Sequence, residues 1–265
     1  MSIQRRNPEL VDILRPDFQA RYEANFGMLS SIGLACMLPG VRAAWFTSSF
    51  DEDGWIIDFS GQGRALKYNG DPEFGFDQLI PYVDLDGSGD FFQREDEDGL
   101  DITGAENFIA NRGLTCGAWI QTDNISPGGN QSIISKWDGA NDQSFALRIL
   151  NGGTCDFRIS NTGADTFTVT STATLSNSTW AFVCGVFDRL TSLDIWVNDV
   201  QAQNVAGIPA SIFQGTNDLF VGASGAAGAA EQLNGKFSMG FLCACKLSDT
   251  IIKTFYAYTC ALYGV

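Results

Sequence analysis

The residues best suited to chemistry are Asp84, Asp86 and Asp90, which with Ser88 and Glu95 match the ligand spacing of a helix-loop-helix calcium loop. Such loops bind calcium through carboxylate and backbone oxygens. The Pro-Tyr-Val before Asp84, however, is typical of an extended strand and not of an incoming helix. We therefore favour a strand, a turn and a second strand. Calcium bound by Asp84, Asp86 and Asp90 at the rim of the fold stays a hypothesis.

A second set of residues has the chemistry of a sugar site. An aromatic ring can pack on the C–H face of a sugar, and neighbouring carboxylates and amides can bond its hydroxyl groups. One loop and one predicted hairpin turn offer this combination, although the tryptophan can also be interpreted as a core residue. The candidate glycan-binding residues are Trp137, Asp138, Asn141, Asp142, Asn198 and Asp199.

Catalytic chemistry is restricted by the absence of histidine from the chain. Without histidine, nucleophile systems of the Ser-His and Cys-His types are excluded. The enzymatic alternative is a glycoside hydrolase that uses two carboxylates, roughly 5 to 9.5 Å apart. We predict no catalytic residues and a protein that is not an enzyme.

The elements that must position these side chains are short alternating strands. Segments such as QSIISKWDG, CDFRIS and LDIWVND follow one another between residues 113 and 265, each closed by Gly, Asn, Asp or Ser. This rhythm predicts an antiparallel β-sandwich. Residues 180–188 are apolar at nearly every position, which predicts a strand covered on both faces. Ser248 can cap a closing helix that carries Ile251, Ile252, Phe255 and Leu262.

The order of these segments resembles the laminin-G-like, concanavalin A-type jelly roll, with IISKWD, LDIWVND, NGKF and a final LSD in sequence. The DFSG turn at residues 58–61 and YVDLDGSGDFF at 82–92 extend the resemblance towards the amino terminus. It implies an all-β, two-sheet jelly roll over residues 39–265, after a helical N-terminal arm at 1–38. Many relatives carry an acidic residue where this chain has Ser238, and the Glu-x-Asp-x-x-Glu strand of the related glucanases does not occur.

The composition of the chain argues against some classes of binding partner. The formal charge is −15 and the 16 basic residues form no cluster, which argues against a nucleic-acid partner. The beginning of the sequence lacks the pattern of a secretory signal, and no apolar run is long enough to span a bilayer, so we predict synthesis in the cytoplasm and no membrane insertion. The seven cysteines show no staple pattern, and we predict buried free thiols.

The N-terminal arm carries Phe18, Tyr22 and Phe26 at intervals of four residues, which predicts one apolar helical face. Two interpretations stay open. The face can pack on the chain's own sandwich, or it can attach the protein to a capsid or tail protein or to further copies around a symmetry axis. The second interpretation predicts a homo-oligomer.

The functional prediction combines this resemblance with the cytoplasmic features. Laminin-G-like modules usually work outside cells, and a virion protein is made in the host cytoplasm and later meets the outside. We predict a non-enzymatic virion surface protein, a phage capsid decoration or adhesion protein, with virion structural proteins and a host surface glycan as partners. The alternatives are a purely architectural capsid cement protein and a cellular carbohydrate-binding module or glycoside hydrolase.

Overall fold

The computed structural model describes residues 32–50, 54–78, 80–105, 112–139 and 141–265. They form two antiparallel sheets packed as a sandwich, which confirms the predicted all-β jelly-roll class. The strands are β1 (Val41–Phe50), β2 (Ile56–Asp58), β3 (Lys67–Asn69), β4 (Glu73–Asp77), β5 (Ile80–Asp86), β6 (Phe91–Arg94), β7 (Gly113–Thr122), β8 (Gln131–Asp138), β9 (Asp142–Ile149), β10 (Thr154–Ile159), β11 (Phe167–Thr174), β12 (Trp180–Asp188), β13 (Ser192–Val197), β14 (Val200–Asn204), β15 (Leu219–Val221) and β16 (Asn234–Cys243).

The larger sheet has the order β14-β13-β12-β7-β16-β1-β2 among the described strands. Strand β5 pairs with the first half of β16, and β4 pairs with β5. The smaller sheet has the order β11-β10-β9-β8-β15-β6-β3. Strand β7 of the larger sheet is followed in the chain by β8 of the smaller sheet, so the end of β7 and the start of β8 lie at the same pole of the sandwich. The strands of both sheets therefore run between the same two poles.

Strand β12 shows why the larger sheet is apolar on both faces. Ala181 and Val183 belong to the core between the sheets, whereas Trp180, Phe182 and Cys184 face the opposite side. The prediction of a strand covered on both sides is therefore confirmed. Gly185 is required here, because a Cβ atom would lie 2.4 Å from the ring of Phe157 in the smaller sheet.

The outer cover of the larger sheet is the C-terminal helix, Asp249–Tyr263. Ser248 caps its first turn, accepting a hydrogen bond from the backbone of Ile251, and Gly264 ends the helix in the left-handed conformation that glycine adopts without strain. The predicted closing helix is thus confirmed. Its buried side chains are Ile252, Phe255, Thr259 and Tyr263.

Residues 32–36 are also helical, and Ala35 and Leu38 are buried in the same outer cluster. Phe18, Tyr22 and Phe26 lie outside the described residues, and the division at residue 38 stays a prediction. No helix in the described ranges is long and apolar enough to cross a bilayer.

All seven cysteines are free thiols, and those in the strands are buried, as predicted. Burial raises the pKa of Cys184 and Cys243. Their thiols therefore remain protonated at neutral pH and pack as small apolar groups.

Candidate functional site

The candidate site is a cleft of about 390 Å³ at the pole where β5 and β7 end and β16 begins. All its lining residues are polar, and six of the seven are acidic. We call it the acidic cleft. Its lining residues are Asp71, Glu73, Asp84, Asp86, Asp90, Asp123 and Asn234.

Strand pairing assembles the acidic cleft. In register, Asp84 stands opposite Glu73 of β4 on one side and opposite Lys236 of β16 on the other. Asp86 stands opposite Asn234. Because alternate residues of a strand share a face, Asp84 and Asp86 point to the same side of β5. Three neighbouring strands, β4, β5 and β16, therefore hold four polar side chains of the cleft on one face.

Asp90 connects two segments that border the cleft. Its Oδ1 accepts a hydrogen bond from the backbone of Asp71 at 2.9 Å, and its Oδ2 accepts one from the backbone of Asp86 at 3.4 Å. Burial raises the pKa of Asp90, against the lowering effect of these hydrogen bonds. Gly70 is needed beside it, because a Cβ atom would lie 2.1 Å from the Asp90 carboxylate. Asp90 therefore supports the wall of the cleft.

The pKa of Asp84 is shifted by its burial and by the charges around it. Burial raises its pKa, and the negative charges of Asp123, Glu73 and Asp90 raise it further, whereas Lys236 lowers it. The Lys236 amine in turn lies 4.4 Å from the centroid of the Tyr82 ring. A crowded set of hydrogen-bond acceptors of this kind can receive hydroxyl groups or a cation.

The residues of the calcium hypothesis can be located in this geometry. The flanking elements are strands β5 and β6, which confirms the strand, turn and strand interpretation. Asp84, Asp86 and Asp90 line one cleft. Among the described residues, however, no group of three His, Cys, Asp or Glu side chains is arranged to hold a metal ion. Both oxygens of Asp90 already accept backbone hydrogen bonds. Calcium binding therefore stays a prediction.

The aromatic residue of the predicted sugar-binding loop, Trp137, is not available to a ligand. The Trp137 side chain is buried, and the Arg158 guanidinium carbon lies 4.0 Å from the ring centroid. Trp137 thus acts as a core residue covered by a cation, which contradicts its use as a surface on which a sugar ring packs.

The polar candidates of this loop have other partners or are exposed. Asp142 accepts hydrogen bonds from the Thr216 backbone at 2.9 and 3.1 Å and from the Thr216 hydroxyl at 2.9 Å. Asp138 is partly exposed and Asn141 is exposed.

The other two sugar candidates do not join that loop. Val197 pairs with Val183 near the start of β12, so the turn with Asn198 and Asp199 lies at the pole where β7 ends. The 138–142 turn lies at the opposite pole, because β8 runs away from the end of β7. Asn198 Oδ1 accepts a hydrogen bond from the backbone of Phe182 at 2.9 Å, which holds the hairpin turn. The six residues therefore form no common site.

Four lining residues were missed by the sequence interpretation. Glu73 lies on a strand of only five residues, and Asp71 and Asp123 lie in connecting segments. Asn234 was noted only as part of the NGKF segment. A usable signal was the pair of short segments EFGFD and IPYVDLD, which reads as an acidic hairpin.

Comparison with known proteins identifies the family. The profile of the family described as concanavalin A-like lectin/glucanases superfamily, Laminin_G_3, matches residues 94–247, which is more than half of the chain. The chain belongs to this superfamily. No curated protein matches the sequence.

Solved structures of the same fold include the binding domain of Paraclostridial Mosquitocidal Protein 1, with a TM-score of 0.64 and 11% identity over 82% of this chain and 52% of that chain. The receptor binding domain of botulinum neurotoxin C/D mosaic serotype has a TM-score of 0.61 and 14% identity over 82% of this chain and 51% of that chain. This protein therefore spans about half the length of the structures that it matches. At these identities the likeness establishes the fold alone.

Proposed function

We propose that this protein is a non-enzymatic, lectin-like binding module on the surface of a virion, and that the acidic cleft binds the hydroxyl groups of a host glycan. The observation that carries the proposal is the cleft itself, which opens at one pole of a sandwich of the lectin and glucanase superfamily. Carboxylates accept hydrogen bonds from sugar hydroxyls, and the amide of Asn234 both donates and accepts.

Two further observations support a binding role. The structurally similar domains from clostridial toxins carry the words binding domain or receptor binding domain in their descriptions. Another solved structure of the same fold has 11% identity and a TM-score of 0.64. Its description states that cell entry of botulinum neurotoxin type C depends on interaction with two ganglioside molecules. A glycan role for the present chain extends this theme to the half of those chains that it matches.

The virion location rests on the sequence. The strand cysteines are free and buried, which is consistent with folding in a reducing cytoplasm. Because laminin-G-like modules usually act outside cells, the family supports a place on an outer surface. Virion structural proteins are then the permanent partners, and a homo-oligomer on the particle is expected. A purely architectural cement protein differs from this proposal only in lacking a glycan ligand.

One observation favours a second candidate, a glycoside hydrolase. Asp84 has a raised pKa and lies among other carboxylates in one cleft, which is the arrangement from which a proton donor and a base are drawn. Enzymatic turnover abolished by Asp84→Asn would favour this candidate over simple binding.

The first experiment is cryo-electron microscopy of particles from the source, searched for density of this chain. Finding the chain on the capsid or tail supports the virion proposal, and its absence from every particle overturns that part. The second experiment is a glycan array with the purified protein, with and without calcium. Retention of neutral glycans supports binding, and a requirement for calcium supports the metal hypothesis at the same cleft.

Variants connect binding to the cleft. We expect Asp84→Asn to weaken glycan retention about tenfold or more, because a hydrogen bond to a charged group is worth roughly 1.5 to 3 kcal/mol. Asn234→Ala should weaken it by about two- to tenfold, because a hydrogen bond to a neutral amide is worth roughly 0.5 to 1.5 kcal/mol. Asp98→Asn is the matched control, since Asp98 is exposed at the opposite pole. Retention that is equal in all three variants would contradict the cleft as the binding site. If particles lose stability without the protein and no glycan is retained, the cement alternative is correct.

A further inference from the structure

A second pocket, of about 180 Å³, lies beside strands β3 and β6. Its chemistry is the reverse of that of the acidic cleft, because it contains two cations and an indole ring in a chain with a formal charge of −15. We call it the basic pocket. Its lining residues are Trp55, Lys67, Gln93, Arg94 and Glu95.

The two cations of the basic pocket have few partners of their own. Within the ranges that the structure describes, the Lys67 amine forms no ion pair or hydrogen bond. Arg94 contacts Glu97 at 3.3 Å, but Glu97 is bound more closely by Arg64, at 2.5 Å. Arg94 Nε is buried and has no hydrogen-bond partner. The Arg94 side chain is 25% exposed and its ion pair with Glu97 is long, so the exposed part of the guanidinium can bind an anionic ligand that reaches the pocket.

The remaining lining residues hold the pocket in shape. Lys67 and Gln93 stand opposite each other on β3 and β6. The Gln93 side chain donates to Asp218 and accepts a hydrogen bond from Asn69 at 3.2 Å, so its position is fixed from both ends. The pocket is smaller than the roughly 300 to 1,000 Å³ of sites for drug-sized ligands, so it can take about one ring.

We propose that the basic pocket binds a single saccharide unit that carries an anionic group, a carboxylate or a sulfate. Arg94 and Lys67 hold the anionic group, since a guanidinium matches a planar or tetrahedral oxyanion with paired donors. The Glu95 carboxylate accepts hydrogen bonds from the ring hydroxyls, and Trp55 borders the pocket beside it. This inference rests on the proposed function of the protein as a glycan-binding module.

The basic pocket and the acidic cleft are separate sites with different ligands. The cleft lies at the pole where β5 and β7 end, and it is lined by carboxylates that would repel an acidic sugar. A glycan with neutral and acidic units can engage both sites in principle, but each site can be tested with single sugars. Failure at one site is therefore distinguishable from failure at the other.

The test is isothermal titration of the purified full chain with glucuronic acid, galactose 6-sulfate, glucose and inorganic sulfate. We expect one or both acidic sugars to bind at least tenfold more tightly than glucose and than sulfate alone. Glucuronic acid alone would identify a carboxylate site, and galactose 6-sulfate alone a sulfate site. Equal binding of glucose and the acidic sugars would overturn the proposal. Binding of inorganic sulfate as tight as that of the sugars would reduce the pocket to a general anion site and would also overturn it.

Two variants locate the binding. Lys67→Gln and Arg94→Gln are each expected to weaken binding of the acidic sugar tenfold or more. Lys67 is exposed, so its replacement leaves the fold intact even if the Arg94 variant is less stable. Lys253→Gln, on the exposed side of the C-terminal helix, removes the same charge elsewhere and should leave binding unchanged. Unchanged affinity in Lys67→Gln, or an equal loss in Lys253→Gln, would refute the assignment. Neutral glycans that still depend on Asp84 would show that the proposed function survives this failure.

Discussion

Tyr263 and Ser238 give a direct test of how the C-terminal helix packs on the larger sheet. Their hydroxyl oxygens lie 2.9 Å apart, and both residues are buried. The Tyr263 ring also stacks on Trp119, with centroids 4.0 Å apart and planes inclined by 4°. Each hydroxyl therefore depends on the other for its hydrogen bond in a region that excludes water.

The Tyr263→Phe variant keeps the stacked ring and removes one hydroxyl. It leaves the Ser238 hydroxyl buried without this partner, which costs roughly 1 to 3 kcal/mol of unfolding free energy. For a chain of this size, each kcal/mol lowers Tm by about 2 to 4 °C. Ser238→Ala should cost a similar amount, because it leaves the Tyr263 hydroxyl without its partner. The double variant should lose about 1 kcal/mol less than the sum, because neither polar group then remains unpaired.

The assay is urea unfolding at pH 7 followed by tryptophan fluorescence, since Trp119 lies directly against the Tyr263 ring. Tyr258→Phe is the matched control, because the Tyr258 side chain is 70% exposed on the same helix. It should change the unfolding free energy by less than about 0.5 kcal/mol. If Tyr263→Phe is as neutral as this control, or if the two single effects simply add, the described packing of the helix is refuted.

Three further predictions concern charged groups. Asp84→Asn should raise the urea midpoint at pH 7, because burial and the charge of Asp123 raise the pKa of Asp84. The native chain loses this group's stability as pH rises through the raised pKa, so the increase in urea midpoint should shrink towards pH 3.8. An increase that does not depend on pH would count against the reasoning. Asp165→Ala should lower the urea midpoint at pH 7. Burial raises the pKa of Asp165, but hydrogen bonds from Ser160 and its neighbours outweigh this effect and lower the pKa, so the loss of stability should fade as acid titrates the native carboxylate. A loss of stability that persists in acid would contradict this explanation. Asp156→Ala removes one of the two carboxylates that pair with Arg148, whose Nε lies 2.9 Å from Asp156 Oδ1; Glu231 is the other, at 2.6 Å. Because Glu231 still compensates the charge, we expect the loss of buried hydrogen bonds to cost roughly 1 to 3 kcal/mol in urea unfolding. A loss below about 0.5 kcal/mol, as for an ordinary surface substitution, would show that the pair is exposed to solvent.

The fold class was predictable because its signals are local. Alternation with a period of two identifies a strand, and an apolar residue at nearly every position, as in residues 180–188, identifies a strand covered on both faces. Ser248 followed by apolar residues at helical spacing likewise identified the closing helix and its buried side. These features depend on neighbours within a few residues, which a single sequence displays directly.

The candidate site was only partly predictable. Asp84, Asp86 and Asp90 were found because they are close in sequence. Trp137 was interpreted in two ways, and the choice between them depends on Arg158, which lies on another strand and covers the ring at 4.0 Å. A tryptophan in a polar loop looks the same in sequence whether its face is open or covered.

The sequence by itself determined the sandwich, the helix that closes it, and the strand, turn and strand that carry Asp84, Asp86 and Asp90. Only the tertiary structure decided that β5 pairs with β4 and with β16, and that Glu73, Asp123 and Asn234 thereby join Asp84 in one cleft. It also brought Lys67 and Arg94 to one pocket through the pairing of β3 with β6. The physical reason is that a strand's faces are set by alternation along its own residues, whereas its partner and register are set by packing between segments far apart in the chain.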